Sequence, residues 1–162
     1  MSPTTWAEAS ARLGRNDYPY ALVMNWFRLP IEDQRKGLHQ AWTMAEWPLS
    51  SADKDVWVSL FEQVCDEPFT YLLDDEPAPL AELPARMTLW RAATEDRALG
   101  MSWTEDRSRA KWFANRFEPQ PVWEIEIDPG DSEILAHFTG RGEAEWVLDL
   151  EGWEMHHLRR IA

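Results

Sequence analysis

Three polar groupings in the second half of the chain could act on a sugar phosphate. Arg91 closes the run Met87-Thr88-Leu89-Trp90, Gly100-Met101-Ser102-Trp103-Thr104 follows, and Gly142-Glu143-Ala144-Glu145 comes last. A guanidinium presents a planar fork of donors that grips phosphate oxygens at two points, which lysine does not reproduce. Ser102 and Thr104 share one face if their segment is extended, so one hydroxyl could hold a ribose while orienting a carboxylate. Glu143 and Glu145 are also two apart, about 6 to 7 Å along a strand and on the same side. A carboxylate there could favour an oxocarbenium-like sugar cation and hydrogen-bond its 2-hydroxyl, as in glycosidases.

Strands must carry these groups. Met87 to Ala92, Val122 to Ile127, Ile134 to Phe138, Glu145 to Leu150 and, less cleanly, Trp153 to Ile161 alternate with period two and read as five strands. Asp128-Pro129-Gly130-Asp131 is a strong turn. Thr104 is placed to cap a helix over Glu105 to Phe117, with Ala110, Phe113 and Ala114 facing inward.

The first half reads as helices instead. Thr5 can cap Trp6 to Leu13, and Tyr18 to Phe27 is apolar on most faces. Pro30 opens a helix carrying Ile31, Leu38, Trp42 and Ala45, which Pro48 ends. Ser51 caps a further one with the stripe Val56, Trp57, Leu60, Phe61 and Val64. Between Asp66 and Pro84, the run Asp74-Asp75-Glu76-Pro77-Ala78-Pro79 lacks periodicity and reads as a surface linker. The expected organisation is a helical part over 1–66, a linker over 67–85 and a β core over 86–162. The fold class is α+β, with the helical part packed on a mixed or antiparallel β core.

Composition bounds the partners. The 162 residues suffice for a compact core, and 44% hydrophobic content with eleven Trp exceeds what a disordered chain carries. Sixteen basic against twenty-nine acidic residues give a net charge of -13, which argues against a broad nucleic-acid-binding surface. A few convergent cations can still hold a small anionic cofactor. Cys65, the single cysteine, excludes an intramolecular disulfide and a cysteine-based zinc site, and reads as a buried inert thiol near a helix end, with no basic partner assigned to it. His156 and His157 would point to opposite faces of a strand, so no metal is expected. No basic-then-apolar leader opens the chain and no apolar run reaches membrane-spanning length, so a reducing cytoplasm is the expected location.

Taken in order, these motifs resemble a known family. The segment from Leu89 to Leu150 is similar to the mono-ADP-ribosyltransferase fold of the arginine, serine, glutamate class, found in many bacterial toxins and some phage proteins. There, a strand ending in arginine is followed by a Ser-Thr-Ser strand, a helix with Ala and Phe, a strand leading into a Pro-Gly turn, and a Glu-x-Glu or Gln-x-Glu strand. Here Ala110-Lys111-Trp112-Phe113, Val122 through Asp131 and Glu143-Ala144-Glu145-Trp146-Val147-Leu148 fall into that order. Trp103, in the middle of the hydroxyl motif, departs from it.

The resemblance implies NAD as substrate, a protein as acceptor and release of nicotinamide. It implies that Arg91 binds the phosphates, that Ser102 and Thr104 organise the ribose side, and that Glu145 stabilises the cation. Glu143 would prepare the acceptor, and its being Glu resembles arginine-directed transferases. Phe113 or Trp103 could stack on nicotinamide, although core packing suits Phe113 better. Arg141 lies where the family contacts its target, and an ordinary solvated turn explains it as well. Plainer readings stand beside these: solvent-facing strand glutamates, a surface-paired Arg91, and Thr104 as a helix cap alone. The same groups with water as acceptor would make an NAD glycohydrolase. A non-catalytic module recruiting a protein through its Trp-rich helical half is the reading from a different class.

Overall fold

The computed structural model describes residues 2–131, 133–140 and 144–162, a chain of mixed α and β structure. It divides into two compact units, Met1–Ala78 and Pro79–Ala162. The division falls inside the segment read as a linker.

The first unit is mainly helical. In α1, Trp6–Ser10, the Thr5 side chain accepts from the Glu8 N–H as expected of an N-cap, but the helix stops three residues before Leu13. α2 runs Tyr18–Asn25 and tightens into a 3-10 turn at Trp26–Arg28. Pro30 precedes α3, Ile31–Met44, which buries Gly37, Leu38, Ala41 and Trp42. These residues recur at three- and four-residue spacing, so one stripe faces inward.

α3 ends at Met44, before Pro48 as expected, and Pro48 has a second role. It opens a short α4, Pro48–Ser51, because proline is preorganised for a first helical turn. Asp53, not Ser51, then precedes α5, Lys54–Val64. Trp57, Leu60, Phe61 and Val64 are buried there as the stripe predicts, whereas Val56 is exposed. The Trp42 ring meets those of Trp57 and Phe61 edge-on at 5.1 and 5.7 Å.

The expected linker contains two strands. β1, Thr70–Leu73, and β2, Glu76–Pro79, are hydrogen-bonded neighbours with only Asp74 and Asp75 between them. Asp74 has φ +52°, a left-handed conformation that Asp tolerates and tight hairpin turns require. His39 Nδ1 lies 2.7 Å from Asp75 Oδ1 and ties the turn to α3.

In the second unit the strands are β3 Met87–Ala92, β4 Ser102–Thr104, β5 Val122–Ile127, β6 Ile134–Phe138, β7 Glu145–Leu148 and β8 Arg159–Arg160. Their spatial order is β6-β7-β4-β3-β5-β8, and the pairs along it are antiparallel. β8 is shorter than the strand expected over Trp153 to Ile161, because Met155–His157 winds into a 3-10 turn. That turn also corrects the two histidines: their rings lie side by side at 4.0 Å.

The single α-helix among the described residues of this unit, α6, spans Arg107–Ala114 rather than Glu105 to Phe117. Asp106 is its cap, accepting from the Arg109 N–H at 3.1 Å. Thr104 acts one step earlier, its hydroxyl accepting from the Asp106 N–H at 3.0 Å. Ala110 and Ala114 pack with Val122 beneath the helix, and Trp90, Ala92 and Ile161 close around them. No described helix is long and apolar enough to cross a membrane.

Candidate functional site

β3 pairs with β5 over its whole length but meets β4 at one position, Trp90 opposite Thr104. Thr104 in turn lies opposite Glu145 on β7, and Ser102 opposite Val147. Residues directly opposite in antiparallel strands share a face. Ser102, Thr104 and Glu145 therefore stand on one side of the β4-β7 pair, as the two-residue spacing of the hydroxyls predicts.

The closest link among them is short and charge-assisted. Ser102 Oγ donates to Glu145 Oε2 at 2.7 Å. Both side chains are only half-buried, so the carboxylate is oriented by the serine yet still reachable from solvent.

Arg91 occupies the place where the β3-β4 ladder stops. Beyond the single bridge, the Ser102 carbonyl accepts from Arg91 Nη1 at 2.9 Å, and Arg91 Nε donates to the Arg97 carbonyl at 3.2 Å. The guanidinium thus stands in for a strand partner. Burial pushes the Arg91 pKa down to about 10, with the Glu145 charge opposing and Arg97 assisting that fall. It remains a cation at neutral pH.

Gly100 is why the fork can lie there. A Cβ at that position would come within 2.2 Å of Arg91 Nη2 and 2.4 Å of its Cζ. Sequence reasoning placed Gly100 at the head of the hydroxyl motif but gave it no role. The signal was the absence of a side chain next to a residue meant to touch phosphate.

The other expected site residues divide into two groups. Glu143 and Arg141 lie outside the described residues. Trp103 does not fit a stacking role: the alternation that turns Ser102 and Thr104 to one face turns Trp103 to the other, where it is 2% exposed and donates Nε1 to the Gly100 carbonyl. Phe113 was expected to face inward with Ala110 and Ala114, yet it is 39% exposed on α6. Its ring meets Trp112 edge-on at 5.0 Å and lies under the Arg109 guanidinium.

Around the site, Trp90 Nε1 donates to Glu124 Oε2 at 2.9 Å, and Arg159 holds the other oxygen of that carboxylate at 2.8 Å. This fixes the β3-β5-β8 edge beside Thr104. On β7, Trp146 stacks on His137 of β6 at 3.7 Å, on the side away from Glu145.

A cavity of about 410 Å³ lies elsewhere in this unit, lined by α6, the segment leading to β5 and Arg160. None of Arg91, Ser102 and Glu145 lines it. Among the described residues, no cluster of His, Cys, Asp and Glu is arranged to hold a metal ion. Burial pushes the Cys65 thiol up, against a hydrogen bond with Thr70 and the charge of Arg35. Arg35 is thus the basic neighbour that the sequence left unassigned, but burial outweighs it and keeps the thiol protonated.

Comparison with known proteins yields no relative: no protein-family model, curated protein or solved structure matches the chain.

Proposed function

We propose that the chain is a mono-ADP-ribosyltransferase that takes ADP-ribose from NAD and places it on a protein side chain, releasing nicotinamide. The observation that carries this reading is the Ser102-Glu145 hydrogen bond of 2.7 Å between β4 and β7, with Arg91 of β3 anchored on the Ser102 carbonyl. Three neighbouring strands, β3, β4 and β7, supply a cation for phosphates, a hydroxyl and an oriented carboxylate.

In the proposed step the bond between ribose C1 and the nicotinamide nitrogen breaks, and its electron pair leaves with nicotinamide. The ribose becomes oxocarbenium-like, and the Glu145 carboxylate, held in place by Ser102, stabilises that charge. An acceptor nucleophile then bonds to C1 and gives up its proton, a role proposed for Glu143. Arg91 holds the diphosphate so that the ribose faces Glu145. Thr104 lies opposite Glu145 and lines the same face.

Glu145→Gln keeps the size of the side chain and its bond to Ser102 while removing the charge. Nicotinamide release from NAD should fall roughly 100-fold or more, the scale of losing one preorganised electrostatic group. The thermal unfolding midpoint should hold. Labelled NAD supplied with a bacterial lysate should mark a protein band in the wild type and not in the variant. Equal nicotinamide release by both proteins would refute the assignment.

A further inference from the structure

The α6 surface carries a feature that the NAD site does not use. From Arg107 to Phe117 the chain holds Arg107, Arg109, Lys111 and Arg116 and not one acidic residue, in a protein of net charge -13. Three aromatic rings emerge from the same stretch: Trp112 is 53% exposed, Phe113 39% and Phe117 81%. Large rings of this kind are ordinarily buried, and three in one patch mark a contact surface.

Rings and cations are interleaved. The Arg109 guanidinium sits 5.4 Å from the Trp112 and Phe113 centroids, and Arg116 sits 5.2 Å from those of Trp112 and Phe117. The Trp112 and Phe113 planes stand at 76° to each other, so the rings offer flat surfaces in different directions with positive charge beside them. Among the described residues, no carboxylate pairs with Arg107, Lys111 or Arg116, so their charge is available to a ligand. On its flank, Lys111 and Asn115 line the 410 Å³ cavity that Arg160 also lines.

We infer that this face binds single-stranded nucleic acid, with bases stacking on Trp112 and Phe117 and backbone phosphates taken by Lys111, Arg116 and Arg160. Stacking asks only for the π-face that every base has, and a flexible strand can follow a convex helix where a duplex cannot unstack. An acidic peptide would satisfy the cations but leave the rings without flat partners. The chain's overall negative charge does not forbid the contact: at physiological salt the screening length is about 8 Å, so the local charges decide, and there Arg107, Arg109, Lys111 and Arg116 outnumber the flanking Glu105, Asp106 and Glu118. The inference does not depend on NAD chemistry.

The test is fluorescence anisotropy with a labelled mixed-sequence single strand of about 12 nucleotides, as DNA and as RNA, at low salt. The wild type should bind, with affinity falling as salt rises, and Trp112 emission should be quenched. The doubly exposed change Trp112→Ala with Phe117→Ala should weaken binding roughly tenfold for each ring lost, at an unchanged unfolding midpoint. Lys111→Ala should reduce the slope of log affinity on log salt by about 0.7, one phosphate's worth. Absence of binding to both strands, unaltered binding by the ring variant, or equal displacement of the strand by poly-glutamate or by duplex would overturn the inference. Because Glu145→Gln should bind the strand as the wild type does, this outcome is separable from failure of the NAD reading.

Discussion

At Gly100 the smallest possible addition is already too large. A methyl there would overlap the far end of the Arg91 side chain, which is flexible, and not the backbone. The fold can accommodate Gly100→Ala by moving the guanidinium, and that displacement should disconnect the fork from the Ser102 and Arg97 carbonyls. We expect a near-wild-type unfolding midpoint and a KM for NAD roughly tenfold or more higher, with kcat changing less, as for an interaction made equally in ground and transition states. Titration calorimetry with NAD would show the same loss directly. An unchanged KM would mean that Arg91 does not hold the phosphates. The grouping of Arg91, Ser102 and Glu145 was legible in the sequence because each residue type is scarce in chemical alternatives and the three occur in a fixed order. Trp103 was misread although the information was present: alternation that pairs Ser102 with Thr104 must send the residue between them to the opposite face. Phe113 was misread because its position near Ala110 and Ala114 suggested one face, whereas Ala110 and Ala114 alone complete the buried stripe of so short a helix.

Among the elements, α3 shows how tightly the helical unit is packed. Gly37 lies in its interior, where glycine is a poor helix former by about 1 kcal/mol relative to alanine. A Cβ there would lie 2.8 Å from Leu22 and 2.9 Å from the Trp6 ring. Trp6 is fully buried and its indole donates to Gln40, so the ring cannot swing away cheaply. Overpacking of this kind costs about 1 to 3 kcal/mol, which exceeds the propensity gained. Gly37→Ala should therefore lower stability in urea unfolding despite improving the helix on paper; a more stable variant would show that α1 and α2 yield more readily than their contacts indicate. Longer elements announced themselves by periodicity, as α3, α5, β3 and β5 did. The β1-β2 hairpin did not, because Asp74-Asp75-Glu76-Pro77 reads as a charged linker until one notes that Asp can adopt the left-handed turn a two-residue loop demands. The start of α6 was missed by two residues since Thr104, Asp106 and their spacing all suit a cap; the structure uses both, in series.

For the molecule as a whole, charge is the property most plainly written in the sequence. Residues 1–78 hold six basic and thirteen acidic groups, and residues 79–162 hold ten and sixteen, so both units are net negative. Where the chain divides was less legible, because the boundary at 78/79 falls within β2, one of two strands hidden in the apparent linker. The excess of acids repels itself within each unit, while surface pairs such as Arg15-Glu46 and Arg86-Asp128 pull the other way. Exposed pairs contribute about 0 to 1 kcal/mol each, and thirteen unbalanced charges act on one another at every separation inside the screening length. Repulsion should dominate. Raising salt from about 0.01 M to about 0.15 M shortens the screening length from about 30 Å to about 8 Å. The thermal unfolding midpoint should climb by several degrees over that interval and flatten beyond it, once only near neighbours still interact. A midpoint that falls with added salt would mean that the attractive pairs outweigh the excess of acids, and that the acidic surface is organised to stabilise the fold.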